Sequence, residues 1–203
     1  MPSFSVYIMD IIFATHNEHK TQEARAILGE NWNLKNLREI GCEEEIPETA
    51  DTLQGNALQK AQYVVDHYHA NCFADDTGLE IDGLEGRPGV YSARYAGEHC
   101  TYQDNVNKVL KEMKGMTNRK ACFKTVVALV LDGETHLFEG RVDGKIIEEP
   151  RGTAGFGYDP VFMPDGYDQT FAEMGDEVKN SISHRGRAMR KLIDFLKDRT
   201  VKQ

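Results

Sequence analysis

No two cysteines in this chain stand close enough in sequence to clamp a metal between them. Cys42, Cys72, Cys100 and Cys122 are scattered through 203 residues without a C-x-x-C spacing. That argues against a zinc module or a disulfide scaffold, and reduced thiols in a cytoplasmic protein are expected. Basic charge is also scarce: 24 Lys and Arg against 33 Asp and Glu leave a formal net charge of −9. No broad positive field exists for nucleic acid or for an anionic membrane. An anionic ligand can then bind only where a few cations converge. No run approaches the ~18 apolar residues of a membrane span. The opening MPSFSVYIMDIIFATHNEHK has no basic leader and meets Asp10 early, so a signal peptide is not expected. Repeats, linkers and low-complexity tracts are missing too. One domain over 9–200 is expected, with residues 1–8 as an N-terminal extension.

What is present is the balance of a globular protein, 40% hydrophobic and 28% charged. MDIIFAT (9–15) reads as a strand, followed by a helix from about Asn17 to Leu28 before Gly29. Leu53, Ala57, Lys60, Ala61, Val64 and Tyr68 recur at helical spacing and lead into a short strand, CFAD, ending at Asp75. Thr101 to Lys114 reads as a third helix, opened by a Thr-x-x-Asp capping arrangement. Asp132-Gly133 joins two strand-like runs as a hairpin. A loop rich in Gly and Pro follows, with a short strand near Val161–Met163, and SHRGRAMRKLIDFLKD closes the chain as a helix. Helix–strand alternation followed by a hairpin predicts an α/β fold with a central mixed sheet flanked by helices.

Four segments could carry chemistry. THNEHK (15–20) puts Thr15, Asn17 and Lys20 where a strand opens a helix; helix-start amides and a lysine favour an anion there. An ordinary N-capped surface helix explains the same residues. EEEIPETAD (43–51) is a dense acidic loop, usually just solvated, and the neighbours Asp75 and Asp76 form a second acidic point. Carboxylates from separate segments beside a basic group are what a Mg²⁺–phosphate site needs. Lys60 shares a helix face with Asn56 and can be buried at such a site or snorkel outward. GFGYDP (155–160) pairs flexible backbone with aromatics, as a turn or as a stacking surface for a nucleobase. KNSISHRGRA (179–188) sets Lys179, His184 and Arg185 around a helix start.

Taken together, ATHNEHK, IPETADTLQGNALQKA, ADDTGLEIDGLEGRPGVYSARYAG, GFGYDPVFMPDG and KNSISHRGRA resemble the inosine triphosphate pyrophosphatase family. The likeness runs from about Met9 to Leu196. It implies an elongated two-lobed fold with the site in the cleft, a homodimer, and Mg²⁺-dependent hydrolysis of ITP, dITP and XTP. By this resemblance Thr15, His16, Asn17, Glu18, His19 and Lys20 form the triphosphate turn, and Lys60 is a second phosphate lysine. Glu48 and Asp76 are metal ligands, for Mg²⁺ or with Mn²⁺ as a substitute, and Asp76 is also the general base. Thr77 contacts substrate. Phe156, Gly157, Tyr158 and Asp159 form the base and sugar pocket, completed by Lys179, His184 and Arg185. His16 departs from the Gly or Asn common in bacterial relatives but keeps the Thr-x-Asn-x-x-Lys spacing.

The mechanism implied is attack of water at the α-phosphorus, with Lys20, Lys60 and Lys179 stabilising the departing pyrophosphate. Alternation along CFAD sends Asp75 and Asp76 to opposite sides. Asp76 is expected to face the site where the backbone turns away at Thr77-Gly78, and Asp75 to support it from behind. Two rival readings are a non-catalytic nucleotide-binding regulator and a pyrophosphatase for pyrimidine or modified nucleotides.

Overall fold

A computed structural model describes residues 9–30 and 32–200; the extension proposed for 1–8 lies outside the described residues. In chain order the elements are β1 (Met9–Phe13), α1 (Glu18–Leu28), β2 (Trp32–Asn36), α2 (Leu53–Tyr68), β3 (Cys72–Ile81), β4 (Pro88–Gly89), α3 (Tyr102–Glu112), β5 (Lys120–Leu131), β6 (Glu134–Ile146), β7 (Phe162–Pro164), α4 (Asp176–Ile182) and α5 (His184–Thr200). They build one seven-stranded mixed sheet in the order β2-β1-β3-β5-β6-β7, with β4 added beside β3. β1 pairs in parallel with β2 and β3, and the long β5 runs antiparallel to both β3 and β6. Among the described residues, no helix is long and apolar enough to cross a membrane.

Local chemistry sets most boundaries. Asn17 caps α1, its side chain accepting from Lys20 N, and Gly29 stops it at φ 75°. Thr101 and Asp104 form a reciprocal capping box at α3. Asp132 and Gly133 both take positive φ, 51° and 81°, as the two-residue β5–β6 turn requires. β2 and α4 carry no clear periodicity of their own and were not expected.

One expectation is corrected. β3 does not end after CFAD; it runs ten residues, through Thr77 and Gly78 to Ile81, paired throughout with β5. The cleft arises at its other edge. β1 pairs with β3 only at Cys72 and Phe73, and β4 joins it only at Leu79 and Glu80. Asp75 to Gly78 therefore have β5 on one side and no strand on the other. That gap lies beyond the carboxyl end of β1, where open α/β sheets bind ligands.

Three apolar clusters surround it. α1 and α5 pack against Phe13, Phe73, Val127 and Leu129 on one face of the sheet. α2 packs against Ala74, Ala128 and Val130 on the other. α3 and the loop before α4 bury Leu79, Ile81 and Phe123 at the far end of the strands. α5 can lie on the sheet because Gly140 of β6 has no side chain: a Cβ there would meet the His184 carbonyl oxygen at 1.9 Å. That contact fixes the first turn of α5, which carries His184 and Arg185.

Candidate active site

Two aspartates inside a strand whose residues are nearly all buried need compensation, because a buried carboxylate without partners is costly. The sheet supplies it from opposite faces. Asp75 is 1% exposed and accepts from Lys20 Nζ at 2.8 Å and from Arg185 Nε at 2.9 Å. Burial pushes its carboxyl up, but Lys20, Arg185 and Lys60 together hold it well below the usual carboxylate range. Asp76 points toward α2, where Asn56 Nδ2 donates to it at 3.0 Å and its own neighbour Thr77 N donates at 2.9 Å. Here burial outweighs Lys60 and Lys20, and with Glu48 adding to the effect the carboxyl is raised. One aspartate is thus a satisfied counter-ion, and the other is a carboxylate whose charge its surroundings disfavour.

Asp75 belongs to a chain of alternating charge. Lys20 and Glu23, one turn apart on α1, share a face. Lys20 pairs with Asp75, Asp75 with Arg185, Arg185 with Glu23, Glu23 with Lys179 at 2.6 Å, and Lys179 with Asp159 at 2.7 Å. Burial lowers Lys20 more than Asp75 raises it. At Lys179 the balance reverses: burial is outweighed by Asp159 and Glu23, so this lysine is firmly charged. Lys60 is buried rather than snorkelling. It pairs with Glu48, donates to the Asp75 carbonyl at 2.7 Å, and is raised because Glu48, Asp76 and Asp75 overcome burial.

A cavity of about 270 Å³ opens at the gap in the sheet. Thr15, His16, Asn17, Lys20, Glu48, Lys60, Asp76, Thr77, Phe156, Gly157, Tyr158, Asp159, Lys179, His184 and Arg185 all border it. Glu18 and His19 do not; Glu18 accepts from Asn36 Nδ2 at 3.4 Å. Asp75 does not border it either. His19 instead stacks on Phe156, ring centroids 5.3 Å apart. Phe156 also lies over the cations Lys179 and Arg185, at 4.9 and 5.5 Å. Its loop is locked by Asp159, which accepts from Phe156 N at 2.9 Å; Gly155 at φ 73° leaves room for that carboxylate, which any Cβ would strike at 2.1 Å.

His184 is buried, stacks on Phe123 at 4.5 Å, and its Nδ1 has no hydrogen-bond partner. Burial first, then Arg185 and Lys179, hold it well below the ordinary histidine value, so it is neutral. A neutral imidazole with an unpaired nitrogen at a cavity wall can read a hydrogen-bonding group on a ligand. Arg185 has three of its five N–H donors committed, to Asp75, Glu23 and Thr77.

Sequence reasoning did not single out Glu23, Tyr102, Asn105, Ser92 or Phe123. Ser92 Oγ accepts from Leu79 N, and Asn105 braces the loop carrying Ala93 and Ala96. Glu23 had a signal, its position three residues after Lys20 on one helix face; the others had none, since only tertiary contacts bring them near.

A family model described as the Ham1 family matches residues 11–195. A dITP/XTP pyrophosphatase of Flavobacterium johnsoniae is 52% identical over 188 residues, spanning 93% of this chain and 98% of its own. One from Porphyromonas gingivalis is 56% identical over 187 residues, spanning 92% and 96%. The Ham1 protein of Staphylococcus aureus matches in structure with a TM-score of 0.84 at 35% identity, covering 94% of this chain and 99% of that one. A HAM1 protein of Coxiella burnetii gives 0.85 at 34% identity, covering 94% and 100%.

Proposed function

The chain belongs to the Ham1 family, and from that premise we infer that it is a nucleoside triphosphate pyrophosphatase for deaminated purine nucleotides. It hydrolyses ITP, dITP and XTP at the α–β phosphoanhydride, releasing the nucleoside monophosphate and pyrophosphate. The observation that supports this best is one cavity joining three unlike parts. A helix start with Lys20 suits phosphate, the buried Asp76 suits water activation, and Phe156 above two cations suits a flat base.

We assign Glu48 and Asp76 as the residues that would hold a divalent metal. The donors are oxygens only, which suits Mg²⁺, with Mn²⁺ as a substitute, better than zinc. Mg²⁺ takes one or two protein carboxylates and completes its shell with water and substrate phosphates, so two carboxylates suffice. The raised Asp76 carboxyl fits as well, since a cation beside it would favour its ionised form. When bound, the ion would neutralise phosphate charge and acidify water.

In this reading Asp76 orients the attacking water and takes its proton, held by Asn56 and by Thr77 N–H. Lys20 and Lys60 meet the phosphates. Lys179, committed to Asp159 and Glu23 beneath Phe156, serves the base pocket rather than the pyrophosphate. Adenine carries an amino donor where hypoxanthine carries a 6-oxo acceptor, so the free donors of Arg185 would face a donor if ATP entered. We further propose a homodimer working in the cytoplasm, with no nucleic-acid or membrane partner.

The test is pyrophosphate release from ITP, ATP and dTTP with Mg²⁺. ITP is expected to exceed ATP in kcat/KM by roughly 10⁴-fold, the range reached when buried donors are left unpaired. Equal values for ITP and ATP would refute the base assignment. Preference for dTTP would favour the pyrimidine reading, and no turnover at all the regulator.

A further inference from the structure

We propose that Tyr102 is a positioning residue that closes the mouth of this cavity by holding Asn17 and Phe156 together. The proposal rests on the nucleotide reading above and adds to it a residue that no motif marked. Tyr102 is the first residue of α3, and the Thr101–Asp104 capping box fixes the backbone of that turn. Further along the helix, Val106 and Val109 enter the apolar core. Asn105 is buried, accepting from Ala96 N at 2.7 Å and donating to the Ala93 carbonyl at 3.1 Å. The mount is therefore rigid, while the Tyr102 ring is 43% exposed at the cavity wall.

A lone exposed aromatic needs no explanation. This one is not alone. Asn17 Nδ2 donates to the Tyr102 hydroxyl at 3.2 Å across 85 residues of sequence. The same Asn17 uses its Oδ1 to accept from Lys20 N, at 3.2 Å, as the cap of α1. Its side-chain amide is thus held at both ends, by its own helix on one side and by α3 on the other. The Tyr102 ring also meets Phe156, centroids 5.9 Å apart and tilted 46°. One side chain accordingly ties the phosphate turn to the base-stacking ring.

In the nucleotide reading, phosphates at Asn17 and Lys20 and a base on Phe156 lie against the two residues that Tyr102 touches. Asp76 lies away from this bridge, bonded to α2. Tyr102 should then govern how well substrate is held and leave the chemical step nearly alone.

Tyr102→Phe keeps the ring and removes the hydroxyl; Tyr102→Ala removes both. With ITP and Mg²⁺, Tyr102→Phe should raise KM about 3–10-fold, the value of one hydrogen bond. Tyr102→Ala should raise it about 10–100-fold as the ring contact is also lost. In both, kcat should stay within about twofold. On an Asn17→Ala background, Tyr102→Phe should add almost nothing, because both changes break the same bond. Unaltered KM in Tyr102→Phe, a fall in kcat alone, or multiplying effects in the double variant would each overturn the proposal. If the unaltered protein does not turn over ITP, the nucleotide reading fails and takes this proposal with it. If it does and the variants behave otherwise than stated, only the bridge is wrong.

Discussion

The two adjacent aspartates should respond oppositely to the same substitution. In Asp75→Asn the shape survives but the charge facing Lys20 and Arg185 is lost. Arg185 keeps Glu23, whereas Lys20 is left without a carboxylate partner among the described residues. Breaking a buried ion pair costs about 3–5 kcal/mol. Lys20 borders the cavity, where water can reach it, so the lower end applies, about 3 kcal/mol. For a domain of this size that is a fall of about 6–12 °C in Tm. Asp76→Asn removes a charge that burial already disfavours, which by itself favours the folded state. Against it, the new NH₂ faces Asn56 Nδ2, which cannot turn because Asn56 Oδ1 accepts from Ala50 N at 2.9 Å. That clash costs about 1–3 kcal/mol; the two effects oppose each other, so Tm should fall by less than in Asp75→Asn. Activity should run the other way. Asp76→Asn should lose at least ~10³-fold in kcat, from base and metal site together. Asp75→Asn should lose about 10–100-fold, the range for residues that position others. Thermal melts and pyrophosphate release on the same preparations decide it. Equal Tm losses, or a folded Asp75→Asn that is the less active of the two, would show that the pair has been assigned the wrong way round.

EDTA should abolish ITP hydrolysis and added Mg²⁺ should restore it, whereas full turnover in chelator would remove the metal from the site. His184 stays neutral when folded, while in the unfolded chain it takes up a proton as pH falls below ~6.5. The unfolded state then binds more protons, so stability must fall as pH falls: urea titrations should show the unaltered protein losing more stability than His184→Phe between about pH 7 and pH 5. Equal losses would mean that His184 ionises in the fold. Gly140→Ala should lower Tm by at least about 5 °C, because its Cβ meets the His184 carbonyl oxygen at 1.9 Å and Ala188 N at 2.6 Å. It should also impair activity by displacing the turn that holds Arg185; an unchanged melt would show that α5 shifts freely.

Much of the frame was legible because it is locally coded. The caps at Asn17 and Thr101, the stop at Gly29 and the Asp132-Gly133 turn act within a few residues of themselves. β3 was cut short for a physical reason. An Asp-Asp-Thr-Gly run contradicts strand propensity, and only its pairing with β5, residue by residue from Cys72 to Ile81, overrides that preference. Glu18 and His19 stood in the turn by the resemblance; a helix points successive side chains in different directions, so Asn17 and Lys20 border the cavity and these two do not.

The sequence by itself determined which segments to look at, and they meet at one cavity, since those residue types and spacings read without folding: a capped helix start with a lysine, an acidic pair, an aromatic in a glycine loop, a histidine–arginine pair. It also determined that the two aspartates face opposite ways, because that follows from the pleat alone. Only the tertiary structure decided what each carboxylate meets. Arg185 finds Glu23 across 162 positions and Asp75 across 110, and Tyr102 finds Asn17 across 85. Such partners are chosen by where the sheet leaves β3 without a neighbour, not by any local preference. Charge, burial and distance act through space, and the chain brings these groups together only when β1 ends at Phe13 and opens the edge beside Asp76.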